Sequence, residues 1–161
     1  MNIKNLPDLD QRVIKSLKEH LSTGYEKSNE AVQAVIDAIL LGKIRLTRQA
    51  DTHGGFDELA GDCFNPAANP SVPAEQLKRE ADNFRRKISR TGVWVMISEY
   101  WTGREWKRFD NIQDNIIGGF VGHDFFGSGY ELQVMEAALD AYNQQDLDAD
   151  GFVIDPFRKA A

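Results

Sequence analysis

A chain of 161 residues, 42% apolar and 27% charged, can bury roughly two-thirds of its unfolded surface in one domain without staples. Its one cysteine, Cys63, excludes an internal disulfide and a four-cysteine zinc site, and no apolar run approaches the ~20 residues that span a bilayer. The net charge of −6 is uneven: residues 78–108 hold nine Lys/Arg against four Asp/Glu, and residues 109–161 hold two against ten.

Asp8 or Asp10 can cap a first helix to about Leu21, with Leu9, Val13, Leu17 and Leu21 as its apolar stripe. Gly24 stops it. Asn29 opens a second helix carrying Val32, Val35, Ile36, Ile39 and Leu40, and Gly42 stands where a C-cap glycine belongs. The two read as an N-terminal helical hairpin over 8–41. Lys43 to Thr47 alternates and supplies one short strand. Residues 49–72 show no period and are rich in Gly, Pro and Asn, so they read as a long loop, with Cys63 and Phe64 packing back onto the core.

Pro73 at the first helical position starts a third helix that buries Leu77, Ala81, Phe84 and Ile88 and ends at Gly92. Residues 93–101 are β-branched and aromatic and read as the central strand. Thr102-Gly103-Arg104 turns the chain, and residues 105–109 return as the hairpin partner. A third strand at 115–121 contains Gly118-Gly119, which signals a bulge or a close backbone approach. Ser128-Gly129-Tyr130-Glu131 has the form of a capping box opening a last helix with Leu132, Met135, Ala138 and Leu139. The expected fold is α+β in a single domain: a small antiparallel sheet of about three strands packed with four helices. The hairpin precedes an α+β core at 73–144, and an acidic tail follows at 145–161. The side chains expected in the core are Leu77, Phe84, Ile88, Val95, Ile97, Leu132, Met135 and Leu139.

Four places could carry chemistry. Asp146, Asp148, Asp150 and Gly151 match the opening of an EF-hand-type loop, with Phe152 ligating through its carbonyl. Phe157 stands where the final bidentate Glu belongs, so any calcium binding is weak, and the competing account is a solvated acidic tail. The Gly-rich segment 118–129 runs from a strand into a helix N-terminus, where backbone N–H groups could hold an anion. Its spacing fits neither dinucleotide nor P-loop fingerprints, and tight turns explain its glycines as well. His53, Cys63 and His123, with Asp51, Asp62 or Asp124, could form a zinc or catalytic cluster, although their spacing is undiagnostic and Cys63 beside Phe64 suits a small packed residue. Arg79, Arg85, Arg86, Lys87, Arg90, Arg104, Lys107 and Arg108 lie near Trp94, Trp101 and Trp106, as in single-strand nucleic-acid sites. The acidic total charge argues against nucleic acid.

Three segments resemble small uncharacterised proteins of bacteriophages and other mobile elements: Gly61-Asp62-Cys63-Phe64-Asn65-Pro66, Gly92-Val93-Trp94, and the run from Gly119 to Glu131. The likeness spans about residues 54–143. It implies a small accessory protein acting inside a bacterial cell, in the cytoplasm, against a host system. The expected function is therefore binding and modulation of a bacterial macromolecule, a host protein, as in a host-defence inhibitor, without catalysis, cofactor or membrane. The expected contact residues are Asp146, Asp148, Asp150, Gly122, His123, Asp124 and Ser128. Two alternatives stay open: a small enzyme using His53, Cys63 or His123 between loops 49–66 and 122–129, and a weak calcium module at 146–151.

Overall fold

The computed structural model describes residues 3–21, 26–108 and 115–145, with the backbone alone at 20 and 26–28. Gly24, Phe109 and the acidic loop Asp146, Asp148, Asp150, Gly151 and Phe152 lie outside the described residues. In chain order come α1 (Asp8–Leu21), α2 (Glu26–Leu40), β1 (Ile44–Ala50), α3 (Phe56–Ala60), α4 (Ala74–Thr91), β2 (Val93–Trp101), β3 (Trp106–Lys107), β4 (Ile116–Val121) and α5 (Glu131–Gln144). The protein is α+β, and the described residues form a four-stranded antiparallel sheet.

The strand β2 is central, as its β-branched and aromatic run suggests. β1 pairs along one edge from Ile44↔Tyr100 to Ala50↔Trp94. The other edge is shared. β4 takes its N-terminal half from Val93↔Val121 to Ile97↔Ile116, and the two-residue β3 takes its C-terminal end. The expected hairpin partner is thus shorter than 105–109, and the early strand runs three residues beyond Thr47.

Partners across an antiparallel sheet share a face. Ile44, Leu46 and Met96 point to the side covered by α1, α2 and α5 and join the main core with Val13, Ile14, Leu17, Val32, Val35, Ile36, Ile39, Phe125, Val134 and Met135. The N-terminal hairpin is therefore built into the same core as α5 instead of standing apart from residues 73–144. Its sequence explains this, because α1 and α2 each carry an apolar stripe that must be covered. Of the side chains expected in the core, Leu77, Ile97 and Met135 are buried, whereas Phe84, Ile88, Val95, Leu132 and Leu139 are half-buried.

The helix ends follow local chemistry. Gly42 at φ +72° closes α2 in a Schellman arrangement: the Lys43 N–H donates to Ala38 O at 2.9 Å and the Gly42 N–H to Ile39 O at 3.0 Å. Pro73, expected as the first helical residue, is instead the N-cap of α4, one position before Ala74. Neither Asp8 nor Asp10 caps α1; both lie inside its first turn, where the helix dipole favours a carboxylate. Asp10 is turned inward, 3% exposed, and its Oδ1 accepts the Leu46 N–H at 2.8 Å. That N–H faces the free edge of β1, so Asp10 blocks part of a row of groups that would otherwise be open to another strand. Burial pushes the Asp10 carboxyl up to about 6, against the opposing pull of the Leu46 N–H and the Arg45 charge.

Residues 49–72 are more ordered than their composition suggests. Gln49 and Ala50 finish β1, and α3 follows. Beyond it, the Asn69 side-chain amide donates to the Asp62, Cys63 and Asn65 carbonyls at 2.9, 3.1 and 2.9 Å. Phe64 packs against Phe56 and Phe84 in a satellite cluster outside the main core it was expected to join, and Cys63 is exposed. A lone cysteine beside a packing Phe does not follow it inward when both sit on a turn, since consecutive turn residues point apart. No helix among the described residues is long and apolar enough to cross a membrane.

Candidate functional site

The Gly-rich loop between β4 and α5 is held from beneath. β4 ends beside the start of β2, where the Gly122 N–H donates to Gly92 O at 2.9 Å. Gly122 has φ +57°, and a Cβ there would stand 3.0 Å from Thr91 Oγ1, so a side chain is disfavoured by both conformation and space. Three residues on, Phe125 is 0% exposed and edge-on to Phe120 and Phe126 at 5.3 and 5.4 Å. It is the plug that fixes the loop to the main core.

The last part of the loop is bound by one buried carboxylate. Glu131, at 5% exposure, accepts the Gly127 N–H at 3.1 Å and the Gly129 N–H at 2.8 Å, and it shares the Ser128 hydroxyl, at 3.0 Å, with Phe125 O at 2.7 Å. The expected capping box is thus displaced. Glu131 is the first residue of α5 and reaches back to two glycines, and Ser128 Oγ accepts the Tyr130 N–H at 3.2 Å without being the N-cap. Hydrogen bonds to a charged group contribute about 1.5–3 kcal/mol each. The Lys87–Asp124 pair at 2.8 Å also ties the loop to α4, but both side chains are about half exposed, which limits it to about 1 kcal/mol or less. Phe125 and Glu131 therefore dominate the anchoring.

Outward, the loop presents His123, Asp124 and Tyr130, the last 46% exposed. The His123 ring is 6.0 Å from Phe126, and the two face Arg12, Lys15, Ser16 and Glu19 of α1 across a cavity of about 180 Å³. Of the expected contact residues, Gly122, His123, Asp124 and Ser128 belong to this one loop.

The His/Cys/Asp constellation is not assembled. His53 is exposed on the turn after β1 and donates its backbone N–H to Asp51 Oδ1 at 3.0 Å, whereas His123 faces α1. Asp62 and Cys63 are exposed on the turn after α3, and Asp124 is occupied by Lys87. Among the described residues, no group of three or more His, Cys, Asp or Glu could hold a metal. Asp51 has a different task. Its Oδ2 accepts the Gly119 N–H at 2.8 Å, and a Cβ on Gly118 would sit 2.8 Å from that same oxygen. The glycine pair is thus a docking place for a carboxylate from the far side of the sheet, at the point where the β2–β4 register shifts. The pair was visible in the sequence as a close approach; its partner was not.

The aromatic residues of the hairpin do not form one stacking platform. Trp94 and Trp101, seven positions apart on β2, point to opposite faces. Arg48 lies 4.0 Å over Trp94, and Arg45 lies 4.5 Å over Trp106, which also packs on Trp101. Arg45 and Arg108 both pair at 2.9 Å with Glu99, which is 5% exposed. These rings are engaged by the sheet's own arginines. No protein-family model, curated protein or solved structure matches this chain.

Proposed function

We propose that this chain is a small accessory protein of a phage or mobile element that works in the bacterial cytoplasm by binding and modulating a host protein, as a host-defence inhibitor does. The observation that carries this reading is the 122–130 loop. It is fixed from within by Phe125 and Glu131 and turns His123, Asp124 and Tyr130 to solvent. A loop already held in one conformation loses little entropy when a partner docks, and loops on rigid scaffolds are the usual carriers of recognition. The acidic residues Asp146, Asp148 and Asp150 would add long-range attraction to a basic partner, felt in the association rate and weakened by salt.

The test is capture from bacterial lysate with the tagged full chain. A stoichiometric partner is expected, and the double variant His123→Ala/Tyr130→Ala should weaken its binding by about tenfold or more, while His53→Ala leaves it unchanged. Neutralising the three aspartates together should slow association and flatten its salt dependence. Capture of nothing in stoichiometric amount, or of a partner indifferent to the loop variant and the aspartate variant alike, would end this reading.

A further inference from the structure

The basic helix α4 meets the sheet and the Gly-rich loop near its C-terminal end, through Thr91 and Lys87. On its flank lies a cleft of about 330 Å³ between α3, the turn after it and α4. Phe56, Phe64, Leu77 and Ala81 are among the residues that line it, with Lys78 and Arg85 at its rim. Its two lining rings, Phe56 and Phe64, form a triangle with Phe84, with ring centroids 5.9 Å apart in each pair. All three are only half-buried, separate from the main core, so this apolar surface is incompletely covered. The basic side chains beside it are mostly unpaired. Lys78, Arg79, Arg86 and Arg90 are exposed and make no ion pair with a described residue, and Arg85 has a single exposed partner, Asp82, at 3.3 Å.

We infer that this cleft is a docking site for an acidic protein segment that inserts one large apolar side chain. The inference rests on the binding reading above and gives it a second contact surface with a stated partner chemistry. Volume argues for a single anchor, because the cleft is at the small end of ligand-sized pockets. The rim supplies the complementary charge for Asp or Glu flanking that anchor, an arrangement of apolar centre and polar border typical of interfaces. Protein is favoured over nucleic acid by the rings themselves. Arg85 already lies 4.0 Å over Phe56, and Phe64 runs nearly parallel to Phe56 at 11°, so the ring faces on which a base would stack are in use. The rest of the lining is largely aliphatic, and the chain as a whole is acidic.

The probe is a displayed library of short random peptides selected on the intact protein, followed by anisotropy titrations of the enriched sequences. Enrichment of peptides with several Asp or Glu around one Phe, Trp, Leu or Met is expected. Ala74→Trp, which fills the cleft from an exposed position, and Lys78→Glu, which reverses the rim, should each weaken them by about tenfold or more while circular dichroism stays native. Replacing the apolar anchor by Ser should do the same. No enrichment, enrichment insensitive to both variants, equal binding of the Ser peptide, or tighter binding of a single-stranded oligonucleotide would each overturn the inference. Applied to the partner captured from lysate, the variants separate the two readings. Loss with His123→Ala/Tyr130→Ala but not with Ala74→Trp removes only this cleft, whereas failure to capture any partner removes the binding function itself.

Discussion

The loop at 122–130 and the segment at 51–72 are both Gly-rich and both connect a strand to a helix, yet they are held by different physics. The first is nailed to the main core by Phe125, fully out of water, and by a buried carboxylate that collects two backbone N–H groups and shares a hydroxyl. The second rests on a satellite of three half-exposed Phe rings and on Asn69, whose amide gathers three carbonyls at the surface. Buried anchors make loosening the first loop cost a large part of global stability. Half-exposed anchors let the second open locally at small cost. One scaffold thus carries a core-anchored loop and a more loosely held cleft.

The sharpest test of the contrast is Phe125→Ala. Removing a fully buried aromatic plug should lower unfolding stability by about 3–5 kcal/mol, measured by denaturant titration. A loss under about 1 kcal/mol would mean that the loop is not core-anchored.

Next in size is a carboxylate outside both regions. Asp10 titrates at about 6 when folded against an ordinary 3.8, because burial disfavours its charge. A raised acid pKa favours the folded state while the group is protonated. Its contribution is full below about pH 4 and is lost as pH rises through about 6, which leaves a penalty of about 3 kcal/mol above pH 7. Asp10→Asn keeps an oxygen for the Leu46 N–H and removes the charge. It should be more stable than wild type above about pH 7, with a flatter pH profile between about 4 and 7. Parallel profiles for the two proteins would show that Asp10 is not the group responsible.

Glu131→Ala comes third. It strands the Gly127 and Gly129 N–H groups and should cost about 2–3 kcal/mol. Amide hydrogen exchange should accelerate at 127–130 and not at 51–72; acceleration at both would show that the two regions open together. The smallest expected effect is that of Phe84→Ala. A fully buried Phe would cost about 3–5 kcal/mol, but this one is half-exposed, so about 1–2 kcal/mol is expected. Limited proteolysis should then cut within 51–72 and spare 122–130. Cleavage in the Gly-rich loop instead would reverse the assignment of core-anchored and loosely held regions.

Much of this architecture was legible in advance because it depends on neighbours in the chain. The stripes of α1, α2 and α4, the β-branched run of β2, Gly42 and Gly92 at helix ends, and the close approach at Gly118-Gly119 are all set by local periodicity or by φ preference. Of the candidate site, Gly122, His123, Asp124 and Ser128 stood out through composition alone. The parts that were not legible turn on contacts between distant residues. Phe125 in a Gly-rich loop looks no different from Phe126 until the core is built around it.

Steric and hydrogen-bonding rules acting over a few residues set the four longer helices, the central strand and many of the turns, but not the short α3. Long-range packing settled that the N-terminal hairpin shares its core with α5, that β3 and β4 divide one edge of β2, and which carboxylates hold backbone N–H groups. Asp51 meets Gly119 across 68 positions of chain and Asp10 meets Leu46 across 36. No local pattern marks such a pair, because the burial that selects a carboxylate as partner for a backbone N–H exists only once the layers have closed.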